Sequence, residues 1–60
     1  MVEDYKKTMT ELLDKREDPS YTEEDEFMYL EILDSIWWQL SEQEQEQIEG
    51  WLREELERRK

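Results

Sequence analysis

The sequence contains no cysteine and no histidine, and it has a single glycine and a single proline. Without cysteine the fold has no disulfide, and without cysteine or histidine it lacks the usual zinc ligands. A phosphate-binding loop needs several glycines, and a nucleophilic serine needs a nearby base, usually histidine. These absences predict a protein that is not an enzyme and that has no cofactor and no metal site.

Long apolar runs are also missing. The longest, Phe27-Met28-Tyr29-Leu30, has four residues, and Ile36-Trp37-Trp38 has three, whereas a membrane span needs about 20 apolar residues, and no secretory signal is recognisable. The default expectation is a cytoplasmic protein with no membrane partner. The chain is expected to form one domain over residues 1–60. A domain of this size buries only about 60% of its unfolded surface, so dimerisation or a partner could complete its core.

Positive charge is scarce and confined to the two ends of the chain. Nineteen acidic against eight basic residues give a net charge of −11, and the stretch from Glu17 to Leu52 holds twelve carboxylates but no Lys or Arg. Negative charge of this density repels nucleic acid and anionic membranes, and it attracts basic protein surfaces. The alternative is that the acidity only keeps a small protein soluble.

Three amphipathic segments predict an all-α fold. Apolar residues recur at helical spacing over about residues 3–16, 23–39 and 42–59. Thr22 with Asp25, and Ser41 with Glu44, have the spacing of a capping box and predict two helix starts. Pro19 disfavours helix at the residue before it. We therefore expect a small bundle of three antiparallel helices.

The second segment is predicted to be the central helix, because its apolar arc spans about 160° and could contact two neighbours. The arc consists of Tyr29, Leu30, Ile32, Leu33, Ile36, Trp37 and Leu40. The single Gly50 indicates a close helix approach, a bend or a tolerated surface position. The residues predicted to form the core are Leu33, Trp37 and Leu52, with Tyr5 and Leu12 packed against them.

Four residues of the second segment form a stripe outside this apolar arc. Phe27, Glu31, Asp34 and Trp38 follow one another at spacings of four, three and four, along about 16 Å of helix. The stripe is predicted to lie almost opposite the arc, with no base on the same helix to neutralise its acids. Either neighbouring helices bury the two aromatic rings, or the rings are exposed and anchor a protein partner, since large aromatics are frequent interface hot spots.

A second acidic row is predicted on the third helix. Glu42, Glu46 and Glu49 repeat at helical spacing, with rises of about 6 and 4.5 Å, so they could imitate the phosphates of a nucleic-acid backbone. The alternative is an ordinary solvated face. The i,i+4 spacing also predicts an ion pair between Glu49 and Arg53.

These patterns predict an acidic protein that binds the basic, nucleic-acid-binding surface of another protein. In size, charge and predicted helicity the chain resembles phage-encoded inhibitors that mimic DNA, including some anti-CRISPR proteins; the resemblance is compositional, covers no motif and assigns no residue. The expected partner is a Lys/Arg-rich protein surface, with no direct contact to nucleic acid, and a homodimer stays open. The second hypothesis is a small structural, assembly or adaptor subunit whose exposed aromatics pack into a larger complex. The residues predicted to bind the partner are Phe27, Glu31, Asp34, Trp38, Glu42, Glu46 and Glu49.

Overall fold

A computed structural model describes all 60 residues and shows three helices and no strand. Helix α1 comprises Val2–Arg16, α2 comprises Glu23–Trp37 and α3 comprises Glu42–Arg58. The predicted all-α bundle of three helices is confirmed, and the observed helix ends differ from the predicted ones by at most two residues. None of the helices combines the length and the apolar character that crossing a bilayer requires.

Both breaks between helices are built on the two capping boxes. The Thr22 hydroxyl accepts a hydrogen bond from the backbone N–H of Asp25, and the Asp25 carboxylate accepts one from the backbone N–H of Thr22, each at 3.3 Å. Ser41 and Glu44 form the same reciprocal pair at 3.2 and 3.0 Å. These bonds satisfy N–H groups that the first helical turn leaves without a partner. They therefore determine where α2 and α3 begin.

Helix α1, rather than α2, is the central element of the bundle. It packs against both α2 and α3, whereas α2 and α3 make only marginal contact with each other. The prediction that α2 is central is wrong, because the width of an apolar arc does not reveal whether neighbouring helices cover all of it.

The molecule is extended for its length. It measures 35 × 25 × 14 Å with a radius of gyration of 11.9 Å, against about 10 Å for a compact domain of this size. Its longest dimension also exceeds the length of α3, its longest helix, which is about 25 Å. The helices are therefore splayed rather than stacked in register.

The core lies where α1 meets the other two helices. It is small, since only Leu12 and Ile48 are fully buried. Three of the five residues predicted for the core are confirmed, but Trp37 and Leu52 are only partly buried because α2 and α3 do not close over them. The five buried residues that form the core cluster are Tyr5, Leu12, Leu33, Leu40 and Ile48.

Gly50 occupies an exposed position inside α3. A Cβ atom added there would meet no other atom within 4 Å, and the helix continues without interruption from Glu42 to Arg58. Gly50 is therefore a tolerated surface residue, and it marks neither a close helix approach nor a helix break.

Candidate protein-binding groove and its acidic rim

An open groove lies between α2 and α3, over the surface of α1. It exists because α1 holds the other two helices apart. Its volume is about 570 Å³, which lies within the range of roughly 300–1,000 Å³ typical of binding pockets. Most of the lining is apolar: Tyr5 and Met9 come from α1, Phe27, Leu30, Leu33 and Trp37 from α2, and Ile48 and Leu52 from α3.

Part of the apolar arc of α2 is left in contact with solvent at this groove. Leu33 faces the core and is 3% exposed, but Leu30 of the same arc is 47% exposed, and the neighbouring Phe27, which lies outside the arc, is 65% exposed. Trp37 is half-buried, and its ring lies 5.7 Å from that of Tyr5, centroid to centroid. Burying apolar surface contributes about 25 cal/mol per Å². Covering this wall with a partner would therefore contribute favourably to the free energy of association.

Three carboxylates line the same groove. Glu31 and Asp34 belong to α2 and Glu49 to α3, and all three are exposed. None of them has a basic nitrogen within 4.0 Å, so the predicted ion pair between Glu49 and Arg53 is not formed. Burial raises the pKa of Tyr5, and the nearby negative charge of Asp34 raises it further. The groove thus combines an apolar base with a rim of uncompensated negative charge.

The basic side chains of the protein lie elsewhere, and none lines the groove. Arg16 pairs with Glu26 at 2.6 Å, which ties the end of α1 to the first turn of α2. The Lys6 ammonium lies 5.8 Å from the ring centroid of Trp51, between α1 and α3. The charge is therefore segregated, with the groove carrying only acids.

Glu55 is the one buried carboxylate, with 7% of its side chain exposed. A hydrogen bond from Arg58 lowers its pKa, and one from Arg59 adds to this effect against the opposing influence of burial. Arg59 also pairs with Asp14 of α1 at 3.1 Å. This cluster attaches the end of α3 to α1, so its role is structural.

The structure brings four of the seven predicted partner-binding residues to the groove. The four are Phe27, Glu31, Asp34 and Glu49. The other three, Trp38, Glu42 and Glu46, are exposed but do not line it. The predicted site is therefore split between the groove and the adjoining surfaces of α2 and α3.

The stripe is exposed and adjoins the apolar arc of α2. Phe27 and Trp38 are 65% and 76% exposed, so the alternative that neighbouring helices bury both rings is wrong. The stripe was also expected almost opposite the apolar arc, yet Asp34 lines the groove together with Leu30 and Trp37 of that arc. The stripe adjoins the edge of the arc, so acids and apolar side chains share one surface.

Met9, Leu30 and Leu52 line the groove without standing out in the sequence as binding residues. Each fits a helical apolar pattern that is equally typical of a core. The signal that could have indicated them is the width of the apolar arc of α2, which is broader than the surface that one neighbouring helix can cover.

No group of three or more acidic side chains is arranged to hold a metal ion. Comparison of the chain with known protein families, curated proteins and solved structures gives no match.

Proposed function

We propose that this chain is a non-enzymatic binding protein that occupies a basic, nucleic-acid-binding surface of another protein, as a DNA mimic does. The observation that carries the proposal is a set of exposed carboxylates with no basic nitrogen within 4.0 Å. Five of them were predicted from the sequence to bind the partner, namely Glu31 and Asp34 on α2 and Glu42, Glu46 and Glu49 on α3. Unneutralised charge of one sign attracts Lys/Arg-rich surfaces and accelerates their encounter.

The exposed aromatic rings supply what charge alone does not. Phe27 of α2 and Trp38, the residue that caps the end of α2, stand at the two ends of the stripe, about 16 Å apart along the helix axis. Buried aromatic anchors dominate the energy of many interfaces and slow dissociation, whereas exposed charges mainly set the association rate. The acids would thus accelerate association with the partner, and the aromatic rings would slow its dissociation.

Competition with nucleic acid tests the proposal. The partner is first captured from host extract on the immobilised chain, identified by mass spectrometry and purified with a labelled duplex DNA or RNA that it binds. Titrating the chain into that complex should displace the nucleic acid. A stable ternary complex, with both ligands bound at once, would contradict the proposal.

A matched pair of triple variants separates position from total charge. One variant carries Glu42→Gln, Glu46→Gln and Glu49→Gln, and the control neutralises three other exposed acids. Both lose three negative charges, but only the first should compete less well, because it alone removes the row on α3. Equal loss in both would mean that only net charge matters. The control substitutions are Glu11→Gln, Glu54→Gln and Glu57→Gln.

The second candidate is an assembly or adaptor subunit, and the exposed apolar wall at Leu30 and Phe27 favours it. A salt series distinguishes the two functions. Binding to a phosphate-recognising surface should weaken about tenfold or more between 0.05 and 0.5 M salt, by analogy with counterion release. Binding through apolar packing should change little over the same range, because salt screens charges rather than apolar contacts.

A further inference from the structure

The groove has a base and two walls but no cover. Tyr5 and Met9 of α1 form its base, while Leu30 of α2 and Leu52 of α3 belong to its two walls. Domains ordinarily bury such apolar faces between packed layers of helices. Here the outer helices make only marginal contact, and the radius of gyration of 11.9 Å exceeds that of a compact domain. The position across the gap, opposite α1, is therefore open to a fourth helix.

The charge of the rim restricts what can fill this position. Glu31 and Asp34 stand on the α2 side and Glu49 on the α3 side, so an occupant meets carboxylates along both of its edges. A second copy of the chain, also at −11, would place its own acidic rim against this one. Like charges brought together in this way oppose association. The occupant should therefore carry positive charge on both flanks.

We infer that the groove receives one amphipathic helix of the protein partner. This inference rests on the proposed function and adds which part of the partner is recognised. The α2 wall runs from Phe27 to Trp37, about 15 Å or three helical turns. The occupant therefore presents apolar residues at i, i+3 or i+4, and i+7 to the groove, with Lys or Arg on either side of that stripe to meet Glu31, Asp34 and Glu49.

Synthetic peptides of about sixteen residues test this inference on the intact chain. The first has the apolar stripe flanked by Lys, the second replaces every Lys with Glu, and the third scrambles the first. Binding is followed by titration and by amide shifts of the ¹⁵N-labelled protein. We expect only the first peptide to bind, with its largest shifts around Met9, Leu30 and Leu52, and to become helical on binding. Equal binding of the scrambled or acidic peptide would overturn the inference.

The chain offers a matched control for the apolar contact. Leu30 and Ile32 lie on the same helix and are 47% and 43% exposed, but only Leu30 lines the groove. Leu30→Gln should lower the affinity for the basic peptide about tenfold, as loss of an interface anchor does. Ile32→Gln should change this affinity less than about twofold. Both side chains are already half in solvent, so both variants should fold. Equal effects would overturn the assignment.

The rim has its own control. Glu31→Gln combined with Glu49→Gln should lower the affinity for the basic peptide about threefold to tenfold. Glu54→Gln combined with Glu57→Gln should leave this affinity unchanged. Sedimentation of the chain alone tests whether a second copy of the chain fills the groove. A dimer that Leu30→Gln abolishes would show that it does, and would overturn the inference.

The two proposals fail separately. If the chain displaces nucleic acid from its partner but no peptide enters the groove, the helix inference fails and the proposed function stands. If the basic peptide binds the groove while the partner holds nucleic acid and the chain together, the proposed function fails and the recognition of a basic helix stands.

Discussion

Replacing Gly50 with Ala should stabilise the domain. Gly50 lies in the interior of α3, is exposed, and would place an added Cβ in open space. Glycine inside a helix costs about 0.5–1 kcal/mol relative to alanine, because the unfolded chain loses more conformational freedom on folding. Since the new methyl group meets no neighbour, neither a clash nor a new contact should alter this gain.

The gain should be visible because the domain is small. Unfolding entropy is about 2.1 cal/mol/K per residue, which gives roughly 0.13 kcal/mol/K for 60 residues. A gain of about 0.5–1 kcal/mol therefore raises the Tm by about 4–8 °C. Stability itself is expected at only about 3–9 kcal/mol for a chain of this length, so the substitution adds an appreciable fraction.

Thermal unfolding followed by circular dichroism measures this shift. Gln47→Ala, at another exposed position of α3, is the control, because glutamine and alanine differ little in helix propensity. A Tm for Gly50→Ala that falls, or that moves no further than the control, would refute the reasoning. It would mean that residue 50 is not in a solvated helix interior.

Three further predictions test the core, a cap and a buried acid. Leu33→Ala should lower the unfolding free energy by about 2–5 kcal/mol, and Leu52→Ala should lower it by clearly less, because Leu52 is only partly buried. Equal losses of unfolding free energy in urea titrations of the two variants would contradict the open groove. Ser41→Ala should cost about 1 kcal/mol and shift the amide resonances of residues 42–44, and unmoved resonances would argue against the cap. Because an arginine hydrogen bond holds the pKa of Glu55 below its ordinary value of 4.5, its contribution is present above that value and is lost as pH falls through the lowered one. The urea concentration at half-unfolding should therefore fall as the pH is lowered from about 5 to about 3, and it should fall less in Glu55→Gln. A wild-type midpoint that stays constant over this pH range would contradict the prediction.

The helices and their starts could be predicted because their signals are local. Each capping box lies within four consecutive residues, so Thr22 and Ser41 indicate the beginnings of α2 and α3 whatever the rest of the fold does. The end of α2 was harder to place, since no proline or glycine follows it. The helix stops at Trp37, two residues before the predicted end, where the chain turns toward Ser41.

The arrangement of the helices could not be predicted in the same way. An apolar arc shows which side chains avoid water but not which helix covers them, so α2 was wrongly expected at the centre. The exposure of Trp38 depended on the same unknown, because the sequence does not show whether a neighbouring helix covers its ring. Glu31 and Asp34 were more predictable, since no base on α2 could neutralise them. The groove itself depends on the gap between two helices, which no single segment encodes.

The burial of Ile48 determines how this open molecule comes apart. Ile48 is 1% exposed and belongs to α3, yet it packs in one cluster with Tyr5 and Leu12 of α1. If α3 detached alone, it would expose those residues of α1 to solvent as well. The free energy of this partial opening should therefore be close to that of complete unfolding. Amide protons of α1 and α3 should then exchange with solvent through the same global event. A bundle with a wide groove on its surface can therefore still be cooperative, because a side chain of its outer helix is part of the central core.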